Sequence, residues 1–323
     1  MTRRVHSVLS ALSAIAVGLV ACSTNPGSDG GTGGGSVASA CADAASKLCD
    51  KLATCSPLLL QLIYSDSNGC NNAWNLTCQA LANANGSPFT SDNIGTCGQS
   101  SAGASCGDAV NAILAGTLPG CDFHGSVAQG AACAASSQCS GANSYCQIPA
   151  GQLCGVCAMR AAASGQCTQT VDCQSGLTCN SMGTCVTPGA PGAPCGNSSP
   201  CQSGLTCTQA KCAAWAEDAN AKCDPSALLA CDYTKGLFCN GSSVCAMVTV
   251  GAPGGMCGTS STLANYTVCP GAVFCPTPAN SLMGNCPKIA TDGAPCDGNA
   301  TICKPPSVCV SGTCSKYDPS TCH

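Results

Sequence analysis

The sequence predicts a small, disulfide-rich fold: an N-terminal helical cysteine domain followed by tandem short β-hairpin cysteine modules, with little regular secondary structure in the repeats. Three observations predict it. Thirty-five of the 323 residues are cysteine, a share above the roughly 8–10% at which composition marks a disulfide scaffold. Aromatic side chains are scarce, with four Phe, two Trp and five Tyr in the chain. A large buried side chain contributes roughly 1.5–3 kcal/mol, so this chain does not fit one large core, and small cross-linked domains suit it better. The cysteines also recur in a repeated spacing from Gly130 onward. A TIM barrel, a Rossmann enzyme or a large sandwich does not match these features.

Residues 1–21 read as an export signal outside the fold. Arg3 and Arg4 supply the positive start, and Val8 to Val20 is a mostly apolar run of thirteen residues, short of the roughly 20 that span a bilayer. It ends in Leu19-Val20-Ala21-Cys22. This segment resembles the lipobox of bacterial lipoproteins. The resemblance implies cleavage before Cys22, lipid on the Cys22 sulfur and a membrane partner reached through that anchor. The rival reading is an ordinary secretory signal. A twin-arginine signal fits less well, because His6 and Ser7 occupy positions where apolar residues belong. Parity favours the lipid: setting Cys22 aside leaves 34 cysteines, enough for seventeen disulfides. Export places them where disulfides persist. Residues 22–40 are rich in Gly, Ser and Thr and read as a tether averaging roughly 23 Å end to end.

Residues 41–121 form the helical disulfide-rich domain, with cysteines at 41, 49, 55, 70, 78, 97, 106 and 121. Cys41, Ala45, Leu48, Cys49 and Leu52 share one helical face. Cys70, Trp74, Cys78 and Leu81 repeat the pattern, with Gly86 as a stop. Thr90 or Ser91 caps a helix through Ile94, and Asp108 to Leu114 reads as a further helix ended by Gly116. Three or four short helices stapled by four disulfides are expected. Cysteines at i and i+8 suit a framework, whereas structural zinc usually takes close Cys pairs.

The repeats follow. Two copies are nearly identical: Cys173-Gln-Ser-Gly-Leu-Thr-Cys179 within residues 165–185, and Cys201-Gln-Ser-Gly-Leu-Thr-Cys207 within residues 195–212. Looser copies occupy residues 223–245, 257–286 and 296–314, and an atypical copy with five cysteines occupies 130–157. Residues 315–323 remain as a tail with Cys322. Leu177–Cys179 and Thr184–Val186 read as a hairpin across Asn180–Gly183, as do Val308–Val310 and Thr313–Ser315 across Ser311-Gly312. The Gly before Leu reads as a tight turn. The atypical copy must pair one cysteine outside itself, and Cys322 is also left over. Whether these two join is open.

A Gly shortly before Cys, then Cys-x-x-Gly-Leu-x-Cys and a closing Cys, is similar to the Dickkopf N-terminal cysteine-rich region and, in style, to colipase-like modules. Tandem copies behind a helical cysteine domain and a lipoprotein signal resemble a group of exported proteins of myxobacteria and their relatives. The resemblance covers about residues 41–314. It implies an envelope location and transfers no receptor-contact residue. Four cysteines permit three pairings, and sequence alone does not choose. A Cys179–Cys185 bond closes little chain, which weighs slightly against it. The resemblance points to alternation: Cys167 with Cys179, Cys173 with Cys185, Cys195 with Cys207 and Cys201 with Cys212.

Candidate chemistry is sparse. Beyond the signal the histidines are His124, in a linker, and the terminal His323. Neither sits in a triad setting or beside a nucleophile elbow. No Walker-type loop occurs, and the Gly-rich run after Gly30 has no strand before it. Cys154-Gly-Val-Cys157 lacks a thioredoxin-like βαβ context and reads as framework. The sequons beginning at Asn75, Asn85, Asn197, Asn240, Asn265 and Asn299 read as compositional in a bacterial chain. The formal net charge is −4, only 8% of residues are charged, and the lysines are dispersed. Nucleic-acid binding needs clustered Lys and Arg, so no nucleic-acid partner is expected.

No catalytic residue, cofactor or metal is expected. The sequence supports a non-catalytic cell-envelope lipoprotein, lipid-anchored at the outer membrane or cell surface, with a binding or structural role and a protein or glycan ligand. The alternative is a protease inhibitor built on disulfide-rich modules. Candidate contact segments are the inserts Thr259–Val268 and Pro276–Asn285, with Tyr266 as an exposed aromatic or, alternatively, as packing over a disulfide. Lipidation at Cys22 makes a direct prediction. Metabolic labelling with a palmitate analogue should tag the wild-type protein and leave Cys22→Ala unlabelled. Equal labelling of both would refute the anchor.

Overall fold

The structure is a computed structural model that describes residues 35–114, 121, 123–149, 152–202, 204–224, 230–259, 264–271, 275–278, 281–316 and 318–322. It shows a helical N-terminal region followed by short strand pairs cross-linked by disulfides. Two compact units divide it. One holds the helical domain with the first and last cysteine modules, and the other holds the four modules between, Arg160–Pro287.

The helical domain has five helices: α1 (Val37–Cys55), α2 (Pro57–Tyr64), α3 (Ser67–Ala82), α4 (Ser91–Gly103) and α5 (Cys106–Leu114). Their starts follow local chemistry. Asp66 accepts from the Gly69 amide at 2.7 Å and Thr90 accepts from Asn93 at 3.3 Å, satisfying amides that a helix start otherwise leaves unpaired. Ser105 accepts from the Asp108 amide and donates to its carboxylate ahead of α5. Two features differ from the sequence reading. Helix α1 begins at Val37, inside the stretch read as tether, because Ser36 caps it and Val37 and Ala40 pack beside Ile94. Helix α2 makes a fifth helix. Its sequence Pro57-Leu-Leu-Leu-Gln-Leu-Ile-Tyr64 shows no clean stripe, and Pro57 at its first turn is the signal that marks it.

The cysteines set the helix register. Cys41–Cys78 and Cys49–Cys70 join α1 to α3, so eight residues along one helix match eight along the other in the opposite direction. Cys55–Cys106 ties α1 to α5, and Cys97–Cys121 ties α4 to the exit segment. Between them Leu48, Leu52, Leu59, Leu60, Trp74 and Val110 form a small core. Tyr64 is buried there, and burial pushes its phenol well above the usual range.

The six modules share one backbone frame. In the five four-cysteine copies, the first cysteine bonds the third and the second bonds the fourth. The atypical copy keeps the same crossing with Cys133–Cys146 and Cys139–Cys157, its second cysteine reaching the fifth while the fourth, Cys154, bonds outside the copy. The looser copies join Cys223–Cys239 and Cys231–Cys245, Cys257–Cys275 and Cys269–Cys286, and Cys296–Cys309 and Cys303–Cys314. An antiparallel hairpin carries the later cysteines. Cys146↔Cys157, Cys179↔Cys185, Cys207↔Cys212, Cys239↔Cys245 and Cys309↔Cys314 face each other directly across it. The fifth module expands into a four-stranded sheet ordered Thr249–Val250, Tyr266–Val268, Met256–Thr259, Met283–Asn285.

Each module also opens earlier than its first cysteine suggests. Val127, Ala161, Gly189 and Ala216 bridge in parallel to the second cysteine of their modules, at Cys139, Cys173, Cys201 and Cys231. Thr249–Val250 and Lys288–Ala290 play the same part in the last two modules. The sequence boundaries at 130, 165, 195, 223, 257 and 296 therefore omit a pairing segment. That segment carries neither a cysteine nor a periodic apolar pattern.

A single turn then reverses the chain. The residue three before each first cysteine has positive φ: Gly130, Ser164, Gly192, Asn220, Gly254 and Gly293. Its amide donates to the carbonyl of the last cysteine of its module, at 2.7–3.1 Å. The last cysteine's amide returns a bond to the residue after the turn, such as Ala193 from Cys212 at 2.9 Å. Left-handed backbone costs an L-residue roughly 1–2 kcal/mol and costs glycine almost nothing, which explains Gly at four of the six positions. The Gly-Leu motif has a separate turn, with Gly176 and Gly204 at φ 83° and 82°.

The segment read as a tail is part of the fold. Thr313–Lys316 is a strand, Pro319–Thr321 a short 3-10 turn, and Cys322 is buried and bonded to Cys154 across a sequence separation of 168.

Two predictions follow from this frame. Gly192→Val should lose about 2 kcal/mol of stability, and Ser164→Gly should gain about 0.5 kcal/mol once glycine's larger unfolded-state entropy is subtracted. Hydrogen exchange of the Cys185 and Cys212 amides reads both changes. The second concerns Tyr64. A raised folded pKa leaves stability intact below the unfolded value of 10.0 and removes it as pH climbs above that value. Between about pH 10 and 11, Tyr64→Phe should flatten the fall in urea stability by up to about 1.4 kcal/mol per pH unit relative to wild type. Identical slopes would contradict the buried neutral phenol.

Candidate binding surface

The cysteines expected to pair in the two regular modules are brought together by the structure. Cα separations are 5.9 Å for Cys167–Cys179, 5.6 Å for Cys173–Cys185, 5.7 Å for Cys195–Cys207 and 5.5 Å for Cys201–Cys212. The two bonds of a module lie against each other: the sulfurs of Cys167, Cys173 and Cys185 are within 4.8 Å of one another. Such a trio resembles a metal cluster in spacing alone. Each of these sulfurs is in a disulfide, whereas a metal needs the thiolate. Cys154 and Cys157 of the C-x-x-C do not bond each other, since Cys157 goes to Cys139 and Cys154 to Cys322. Cys22, Gly116 and His323 lie outside the described residues. Among the described residues no helix is long and apolar enough to cross a membrane.

The four short hairpins, those of the second, third, fourth and sixth modules, have tips of two designs. Where five residues separate the paired cysteines, an Asn side chain holds the loop. Asn180 accepts from the amides of Met182 and Thr184, both at 3.0 Å, and Asn240 accepts from Ser242 and Val244 at 3.0 and 3.2 Å. Where four residues separate them, two successive left-handed residues turn the chain: Gln209-Ala210 and Ser311-Gly312. That is the type I′ solution, which matches the twist of the flanking strands. Asp297, behind the first cysteine of the last module, uses the Asn device on Asn299 and Thr301. These backbone amides, Thr301 first, hold its carboxyl below the usual range.

The fourth module carries a polar and aromatic group that the sequence reading did not assemble. Trp215 meets Tyr233 edge-on with ring centroids 5.0 Å apart. Asp232 accepts from the Thr234 amide and hydroxyl. Lys235 reaches Glu217 at 3.3 Å and Asp232 at 3.8 Å. Burial, and secondarily Asp232, raises the Tyr233 phenol above its usual range. The group bolts the opening segment of the module to the turn after Cys231. Its sequence signal was rarity: Glu217 is the chain's one glutamate.

The expected contact segments fall on the fifth module. Tyr266 is not the exposed aromatic one reading allowed. It is half-buried, tilted against Phe238 of the fourth module at 5.7 Å, and paired in register with Thr259. Burial raises its phenol as well. Residues 260–263 and 279–280 of the two inserts lie outside the described residues. Exposed His124 stands between the helical domain and the first module. A cleft of about 300 Å³ is lined by the Asn85-Gly86 turn, Ser126, Val127 and Cys322. Its walls mix the polar Asn85 and Ser126 with Val127, three alanines and Cys322, and no ionisable side chain lines it. Among family models, curated proteins and solved structures, none matches the chain.

Proposed function

We propose that the protein is an exported, lipid-anchored and non-catalytic component of the cell envelope, held through Cys22 at the outer membrane or cell surface, with a binding or structural role. One observation carries the reading: a single cross-linked backbone frame is used six times, and the hairpin tips it presents differ in length and sequence. A scaffold fixed by covalent bonds leaves its loops free to vary for contact. Pairing of all 34 described cysteines agrees with an oxidising compartment. The similarity of the Cys-x-x-Gly-Leu-x-Cys copies to Dickkopf-type regions supports a recognition role in the same general sense. The partner is a protein or glycan of the envelope.

The test uses the full chain in its producing cell. A photo-crosslinking amino acid placed at Gln209 or Ser311 should give discrete adducts in the membrane fraction. The same reagent at buried Ser101 should give none. Tip positions that give no adduct, in a chain recovered from the soluble fraction, would overturn the reading. Tight inhibition of a protease by the purified chain would replace it with the inhibitor alternative.

A further inference from the structure

The methionines are distributed against the usual rule. Methionine is a flexible, apolar gap-filler that belongs in cores. Here all five methionines among the described residues are exposed: Met159 at 53%, Met182 at 66%, Met247 at 59%, Met256 at 65% and Met283 at 40%. None belongs to the helical core, which uses Leu48, Leu52, Leu59, Leu60, Trp74 and Val110. Their positions are also structurally quiet. Met182 sits on the Asn180 hairpin tip. Met159 and Met247 end the strands Gly155–Met159 and Cys245–Met247. Met256 and Met283 are diagonal neighbours on one face of the fifth module's sheet, since Met256 pairs with Asn285 and Gly258 with Met283.

The other soft sulfurs are closed to the same chemistry. Every described cysteine is in a disulfide, so no described thiolate competes for an oxidant. Among the described residues, two-electron oxidation of sulfur therefore falls first on the thioethers of exposed methionines. Sulfoxide formation is harmful when it puts a polar oxygen into a core. At these five positions the residues are between 40% and 66% exposed, so a new oxygen can be placed toward solvent and not into a closed core.

We propose that the five methionines are separate oxygen-accepting positions, a set of modification sites that consumes two-electron oxidants of the peroxide class while the disulfide frame stays intact. In each event the thioether sulfur donates an electron pair to one peroxide oxygen. The O–O bond breaks, an S–O bond forms, and the remaining oxygen leaves as water. Sulfur is oxidised by two electrons and peroxide is reduced by two. The inference stands on burial and disulfide pairing and does not depend on lipid attachment or on the identity of a partner.

The experiment titrates the purified, disulfide-intact chain with hydrogen peroxide, followed by intact mass, peptide mapping and circular dichroism. Peptide mapping should place one added oxygen, about 16 Da, on each of the five residues. All five sites should react within about threefold of the rate for a free methionine peptide, and the thermal transition should stay in place. A site protected more than about tenfold, or loss of structure in step with oxidation, would overturn the proposal. Replacing all five residues by Leu (M159L, M182L, M247L, M256L, M283L) should lower peroxide consumption by about five equivalents per chain. A variant that consumes as much as wild type would also overturn it. In the producing cell, protein recovered after sublethal peroxide should carry sulfoxide at these positions, and unmodified protein would refute a sacrificial role.

Discussion

Within each module, two disulfides that alternate along the chain lie side by side, and the rest of the module depends on that crossing. The third and fourth cysteines face each other across the hairpin, yet each reaches back to a different earlier cysteine. Had they bonded each other, a short turn would have been closed and the opening segment left loose. Crossing instead ties the opening segment over the hairpin. The first bond of such a loop stabilises by about 3 kcal/mol in a chain-entropy treatment. The adjoining sulfurs then take part of the place that aliphatic side chains fill elsewhere, with Cys173, Cys185, Cys212, Cys231 and Cys245 buried. The buried residues of the second regular module include Cys212, while Leu205 stays half-buried. This is how a chain with so few aromatic residues folds at all.

The backbone bonds explain why six copies with such different sequences keep one shape. The amide three residues before the first cysteine and the carbonyl of the last cysteine meet in every copy. Neither group belongs to a side chain, so substitution around them is tolerated as long as positive φ is. Ser164 and Asn220 occupy that position in two copies. Asn tolerates left-handed backbone better than most residues. The opening strand adds a parallel bridge made from backbone alone.

Much of this was legible in the sequence and some was not, for definable reasons. Cysteine spacing and helical periodicity carried the two-part fold, because both are direct traces of side chains that point inward. The Thr90 cap and the Ser311-Gly312 turn were equally readable, since capping and left-handed turns have narrow residue preferences. The parallel opening segments were not, because backbone pairing at Val127 or Gly189 leaves no side-chain pattern. Helix α2 was missed because its apolar residues run together without a stripe. The Cys154–Cys322 bond was left open because two odd cysteines 168 residues apart carry no spacing rule. On the candidate surface, Tyr266 could be read either as a contact or as packing. Only the position of Phe238, supplied by the neighbouring module, decides for packing.

The bond between Cys154 and Cys322 changes what the module row is. Without it, six modules follow one another and the last is a free end. With it, the last module belongs to the same compact unit as the helical domain and the first module. Cys322 is buried against Ala134, with Leu153 and Val308 beside it. Every disulfide among Cys167 to Cys286 is internal to the four intervening modules. The bond closes a covalent loop from Cys154 to Cys322 that contains all four of them. Terminal repeats of linear arrays need special capping surfaces. Here the last repeat is capped by the first, and the clamp that joins them uses the two cysteines that the module pattern itself leaves over.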